Sequence, residues 1–323
     1  FARAALRQQA GPVNRTIIIL AVLLLVQGAL VAAVYWPRAA GTDQSQVAPM
    51  APFDRELVDE IYIGDEYDNE TVLLKVGDRW LLPELENLPA DTAMVERLLS
   101  ATTDGNTGWP IADSIAARQR FQVASYYYLR RIRFLHDYQM LGTLYLGSSP
   151  GFRKIHARND EQSAIYSIDF SDFEAPGING AWLDRKLLQI RTPVAINADG
   201  YSLRRQGNDW LSGIGQVPDE RELQALLSAL RSLQIDGVAS EDSQRDLAET
   251  EAGLILTVQS LAGDVTLELF DLDGKYFIHS SEYPLSFKLS AYDHDRLTNI
   301  DVAAISGNTA EVECGVAGPC PPL

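Results

Sequence analysis

The chain has 323 residues, 46% of them hydrophobic, and carries 44 acidic against 27 basic side chains, for a formal net charge of -17 and an isoelectric point near 4.6. So acidic a surface argues against nucleic acid and against a polybasic grip on anionic lipid, and it favours a soluble, extracytoplasmic body. The residues beyond position 50 are enough for two ordinary domains or one large one.

The first predicted element is the uncharged run Thr16–Trp36, TIIILAVLLLVQGALVAAVYW. About 20 such residues cross the hydrocarbon core of a bilayer as one helix. Arg3, Arg7 and Arg15 precede the run and Arg38 alone follows closely. The positive-inside bias therefore places the N-terminus in the cytoplasm and the body outside. Tyr35 and Trp36 fall where an interfacial aromatic belt belongs. The alternative is a cleaved signal peptide, with a shorter apolar core and a small-residue cleavage site. Val31-Ala32-Ala33 is a weak match to such a site, and Pro37 and Arg38 follow the run. The length of the run favours an uncleaved anchor, and a chain opening on Phe1 is expected to lack a few preceding residues. Inside the helix, Gln27 lies near the bilayer centre beside Gly28 and Ala32, a small-xxx-small pair. Small residues let helices approach and an intramembrane amide seeks a partner, so these three form a candidate packing face; a passive anchor is the plain alternative. Residues 1–15 are assigned to the cytoplasm, 16–37 to the membrane and 38–50 to a linker.

The body carries internal similarity. VLLKVGDRWLLPELENLPADTAMVERLLSA (Val72–Ala101) parallels YSLRRQGNDWLSGIGQVPDERELQALLSAL (Tyr201–Leu230). Each predicts a strand, a Gly-containing turn, a Trp (Trp80, Trp210), a Pro (Pro89, Pro218) and an amphipathic helix. Val95, Leu98 and Leu99 share one helix face; Leu223, Leu226, Leu227 and Leu230 share the other, at i, i+3, i+4, i+7. Asp91 and Asp219 stand where an N-cap carboxylate is useful. The two tryptophans read as equivalent core positions rather than as a cofactor box. Downstream, Arg131–Gly147 resembles Gly253–Phe270 and Lys154–Asp169 resembles Lys275–Ser290, all read as hairpins. The predicted class is α+β: an N-terminal transmembrane helix, then two similar repeats of antiparallel sheet with one covering helix each, over residues 51–190 and 191–301. Leu183–Thr192 is expected to bridge them. The remaining residues, 302–323, form a tail with Cys314 and Cys320, the two cysteines of the chain. A close pair outside the cytoplasm predicts a disulfide, with two free thiols as the alternative.

Motifs for chemistry are sparse. Gly147-Ser148-Ser149-Pro150-Gly151 matches the nucleophile elbow G-x-S-x-G, but the oxyanion hole there needs the N–H of the residue after the nucleophile, and Pro150 has none. A turn is expected. Asp271-Leu272-Asp273-Gly274 hints at a calcium loop but reads better as a hairpin turn. The histidines are His136, His156, His279 and His294, none with HExxH or HxH spacing. Asp293-His294-Asp295 is expected in a solvated loop. Tyr126-Tyr127-Tyr128 with Arg130, Arg131 and Arg133 reads as a strand with alternating faces, and as a candidate partner contact. No catalytic residue, cofactor site or metal site is predicted.

Leu146–Ile190, LGSSPGFRKIHARNDEQSAIYSIDFSDFEAPGINGAWLDRKLLQI, with the upstream W-L…LPAD…LLS pattern, resembles the DUF4340 family across most of Ile61–Asp301. The most specific segments are GSSPGFRK and AWLDRKLL. Members are typically bacterial and encoded beside an ABC-type ATPase and a permease or auxiliary subunit similar to gliding-motility transport components. The resemblance implies a non-catalytic accessory subunit of an ABC-type transporter in the bacterial inner membrane, single-pass, with a periplasmic body and with permease and ATPase subunits as partners. A free-standing ligand-binding module, an envelope scaffold and a hydrolase built on Ser148 or Ser149 are the rivals.

Overall fold

The computed structural model describes residues 15–39, 49–105, 107–171 and 174–307. The chain divides into two units, 1–48 and 49–323. In the first, α1 (Arg15–Ala39) is helical, with side chains described over residues 18–31. Among the described residues no helix is long and apolar enough to cross a membrane; the span expected over 16–37 extends past that stretch on both sides.

The second unit holds two eight-stranded sheets, every pair of neighbours antiparallel. The first begins as a meander, β1 (Glu60–Asp65), β2 (Glu70–Val76), β3 (Arg79–Leu82) and β4 (Leu88–Pro89), followed by α2 (Thr92–Thr103). A small insertion comes next: α3 (Ile115–Arg120) and the hairpin β5 (Val123–Ala124), β6 (Tyr127–Tyr128). The chain then returns beside β1 as β7 (Arg130–His136) and continues outward through β8 (Gln139–Leu146), β9 (Lys154–Asn159) and β10 (Tyr166–Asp169). The second sheet has β11 (Pro193–Ala198), β12 (Tyr201–Gln206), β13 (Asp209–Ser212), α4 (Glu220–Ser232), β14 (Ile235–Val238) and α5 (Glu241–Glu249). Its return strands are β15 (Leu254–Ser260), β16 (Gly263–Leu272), β17 (Lys275–Ser280) and β18 (Ser286–Leu289), followed by α6 (Ala291–Thr298) and α7 (Val302–Ile305).

The strand orders are β4-β3-β2-β1-β7-β8-β9-β10 and β13-β12-β11-β15-β16-β17-β18-β14. In both, the opening strands, four in the first sheet and three in the second, run outward in chain order, a leucine-faced helix follows, and a later strand returns beside the first. Those first strands, β1 and β11, are central, and the sequence pattern missed them. β1 includes Glu60, Gly64 and Asp65, and β11 includes Pro193, Ala195 and Asn197, residues of low strand propensity that dilute the pattern in both.

The helices form where the pattern places them. Asp91 accepts from the Met94 N–H and Asp219 from those of Arg221 and Glu222. Val95, Leu98, Leu99, Leu223, Leu226, Leu227 and Leu230 are all buried in one continuous core. Each contributes about 1.5–3 kcal/mol by leaving water. Trp80 is fully buried there, whereas Trp210 is half-buried at its margin. The linker between the sheets belongs to the same core through Trp182, Leu183, Leu188 and Ile190. It bonds to both edges: Asp184 N–H to the Pro89 carbonyl, Asp91 N–H to that of Trp182, and Ile235 N–H to that of Arg185.

Several expectations need correction. The second sheet has more than one covering helix, since α6 and α7 add Leu297 and Ile305 to the core. His294 lies in α6 and not in a loop: the Ser290 hydroxyl caps that helix by accepting from Asp293 N–H, and Tyr276 stacks on the imidazole at 4.2 Å. Tyr126–Arg133 is a hairpin tip followed by a new strand, not one strand. Met50, expected in the linker, is buried, and its carbonyl accepts from the Asn159 amide.

Candidate functional site

Two histidines stand at matching points of the two sheets, on the faces turned away from the core. His156 lies on β9 and His279 on β17, each strand second out from β7 or β15. Each is paired across the sheet with a serine on the next strand, His156 with Ser167 and His279 with Ser286. On the other side His279 faces Glu268 of β16, whereas the register of β8 with β9 sets Gly147 beside His156.

Around His156 the space is filled. Phe121, the C-cap of α3, lays its ring on the imidazole at 4.3 Å. The Phe121 carbonyl accepts from the Ser148 N–H and hydroxyl, and the Ser148 Oγ lies 3.0 Å from His156 Nδ1. A side chain at Gly147 would run into the Phe121 and Gln122 carbonyls, so only glycine admits this approach. Burial pushes the His156 imidazole below its ordinary value; the Ser148 contact acts the other way and is outweighed. The insertion is locked by Arg158, whose side chain is 3% exposed. It donates to the carbonyls of Val123, Asn159, Asp160 and Gln162 and lies over the Tyr145 ring. A serine and a histidine at 3.0 Å resemble a nucleophile–base pair. Here the pair is sealed under Phe121, and among the described residues no carboxylate pairs with the ring to orient it. Ser149 is spent on its turn, donating to the carbonyls of Gly151 and Lys154.

Around His279 the matching space is open. α5 crosses the outer face, with Leu247 packed on Phe270 and Phe277. Its C-cap is Thr250, where α3 has Phe121. Beside it lies a cleft of about 400 Å³ with Leu247, Phe270, Pro284, Thr250, Glu268 and His279 in its walls. The Gln244 amide fixes the floor by bonding both backbone groups of Ser286, donating to the carbonyl and accepting from the N–H. The turn beyond is a tight hairpin with positive φ at Asp273 and Gly274 and the Asp271 carboxylate accepting from Gly274 N–H, not a calcium loop.

A third cluster lies at the β7–β8 turn. His136 Nδ1 is 3.1 Å from Asp59 and Nε2 is 3.7 Å from Asp137, and the three could hold a metal ion. The carboxylates sit at opposite ring nitrogens, so in this arrangement they bind the imidazole itself and pin the turn. Asp59 is distant in sequence and reaches His136 only through the pairing of β1 with β7, so spacing gave no sign of it.

The arginines of the aromatic–basic stretch are engaged within the fold, Arg131 and Arg133 on the face of β7 opposite the core residues Ile132 and Phe134. Arg131 and Arg133 converge on Glu70, Arg133 lies over Tyr62 and Arg130 donates to the Ala175 carbonyl. The exposed large apolar side chains of this region are Trp109, Ile111, Ile115, Tyr126 and Tyr127, all on or beside the insertion.

The family model of DUF4340, a domain of unknown function, matches residues 80–252. The chain belongs to the DUF4340 family. No curated protein and no solved structure matches it. The DUF4340 segment runs from Trp80 on β3 through α3, its Phe121 and α5, and ends just past Thr250. It thus includes both outer-face connections but not the strands that carry Glu268 and His279.

Of the remaining sequence-derived residues, Gln27 and Gly28 are exposed on α1. Ala32 belongs to that helix, but its side chain lies outside the described residues, as do Cys314 and Cys320.

Proposed function

We propose that the chain is a non-catalytic, membrane-anchored accessory subunit of an ABC-type transporter complex. Residues 16–37 cross the bacterial inner membrane, and the body stands in the periplasm against permease and ATPase partners. Membership of the DUF4340 family is the observation that carries the reading, through the transporter components beside which such proteins are encoded. Two further features support it. The apolar side chains described in α1, from Ile18 to Val31, are exposed rather than packed. The insertion presents Trp109, Ile115 and Tyr126, each more than 70% exposed. Aromatic side chains are enriched at protein contacts. The shared strand order of the sheets supports a tandem duplication, and a Cys314–Cys320 disulfide is part of the same reading.

The test is purification of the full-length protein from native membranes in mild detergent, beside a copy lacking residues 1–38, with mass spectrometry of what accompanies each. An ABC-type ATPase and permease recovered with the full-length chain only would assign recruitment to the helix. Recovery with both would place the contact on the body. Recovery with neither, from folded protein, would overturn the proposal.

A further inference from the structure

The cleft beside His279 opens on the outer face of the second sheet, away from the core. We propose that it binds a small aromatic amine, a ring next to a positive charge. The first sheet shows what its outer face accommodates. There a phenyl ring lies on the histidine at 4.3 Å, and the Arg120 guanidinium sits 5.5 Å from that ring. The second sheet repeats the histidine, the facing serine and the crossing helix, but replaces the ring with Thr250 and so leaves about 400 Å³ unfilled. Ile255 and Pro284, both exposed, give the cleft its apolar walls, with Leu247 and Phe270 buried behind them.

The charge of the ligand follows from Glu268. It stands at the register position of Gly147, beside His279, and lines the cleft. Among the described residues it forms no ion pair, and no lysine or arginine lines the cleft. An anion would meet repulsion there and a cation an unpaired carboxylate. The net charge of -17 draws cations to the same surface. Glu268 is paired across the sheet with Ile255 on one side and His279 on the other, so a ring held against those two sets an attached ammonium group within reach of its carboxylate.

The experiment is a titration of the full-length chain in lipid nanodiscs with phenethylamine, followed by the imidazole resonances of selectively 13C-labelled histidine, with His279→Gln assigning the signal. The expected result is a saturable shift of His279 with a Kd below about 1 mM. Phenylacetate, which reverses the charge, and butylamine, which lacks the ring, are expected at least about tenfold weaker, as is phenethylamine on Glu268→Gln. Thr250→Phe fills the cleft as Phe121 fills its counterpart and is expected to abolish the shift while leaving the other histidine signals in place. An unshifted His279 would overturn the proposal, as would phenylacetate binding as tightly as phenethylamine or unchanged binding to Thr250→Phe.

Discussion

The outer faces of the two sheets solve one problem in opposite ways. Each sheet buries one face in the core and must dispose of the other, and in each the connection between the leucine helix and the return strand crosses that second face. On the first sheet the crossing segment is fastened by a buried arginine and ends in a phenylalanine that seals a histidine. On the second it is fastened by one leucine and the Gln244 amide and ends in a threonine that leaves a histidine at the side of a cleft. Two positions decide the difference, Phe121 against Thr250 and Gly147 against Glu268. The same topology is thus compatible with a sealed face or a receptive one, and the choice lies with side-chain volume at the end of a short helix.

Arg158→Leu should disturb this contrast most. Four backbone carbonyls lose a donor while the insertion stays over the sheet, an expected cost of about 3 kcal/mol. Urea denaturation measures it, and limited proteolysis should find new cleavage between residues 105 and 128. An insertion that stayed protease-resistant would show that Tyr145 and Ile165 hold it without the arginine. On the other sheet, Leu247→Ala removes the apolar anchor of α5 and should cost about 2–3 kcal/mol, with faster amide exchange confined to Glu241–Glu249. Equal destabilisation by the two variants would mean that the faces are fastened equally well.

Phe121→Ala converts the sealed face into an open one. The ring is only partly buried, so the expected cost is about 2 kcal/mol, below that of a fully buried phenylalanine. The smallest effect is on pH dependence. The folded His156 binds its proton at lower pH than the unfolded chain does, because burial disfavours the charged ring. Below about pH 6.5 the unfolded chain therefore holds more protons, and stability should fall as pH drops from there through the folded value. His156→Gln should flatten the unfolding midpoint across that window, and Phe121→Ala should move the His156 titration back towards its ordinary position. A midpoint equally pH-dependent in His156→Gln would assign the slope to other groups.

Much of the fold was legible because helices and hairpins announce themselves locally. The leucine spacing of α2 and α4, the aspartates before them and the Asp-Gly turn all rest on contacts within a few residues. The central strands β1 and β11 were not legible, since Glu60, Gly64 and Asp65 in one and Pro193, Ala195 and Asn197 in the other dilute the pattern that marks a strand. The α6 helix was missed because its cap, Ser290, is followed by the charged residues Asp293, His294 and Asp295, which in composition look like a loop. For the candidate site, Ser148 and His156 are near neighbours in sequence and could be paired on paper, but Phe121 reaches them from another element. Glu268 and His279 have no local signature at all; only the β16–β17 register brings them together.

The sequence by itself determined the apolar N-terminal run, the acidic surface, the two leucine-faced helices, most hairpins and membership of the DUF4340 family. These depend on composition, on spacings of a few residues along one element, or on similarity read along the chain. The tertiary structure alone decided which strand is central, how the linker joins both sheet edges, and which of two equivalent histidines is sealed. Those outcomes depend on cross-strand register and on the volume of residues far apart in the chain, and no local pattern encodes either.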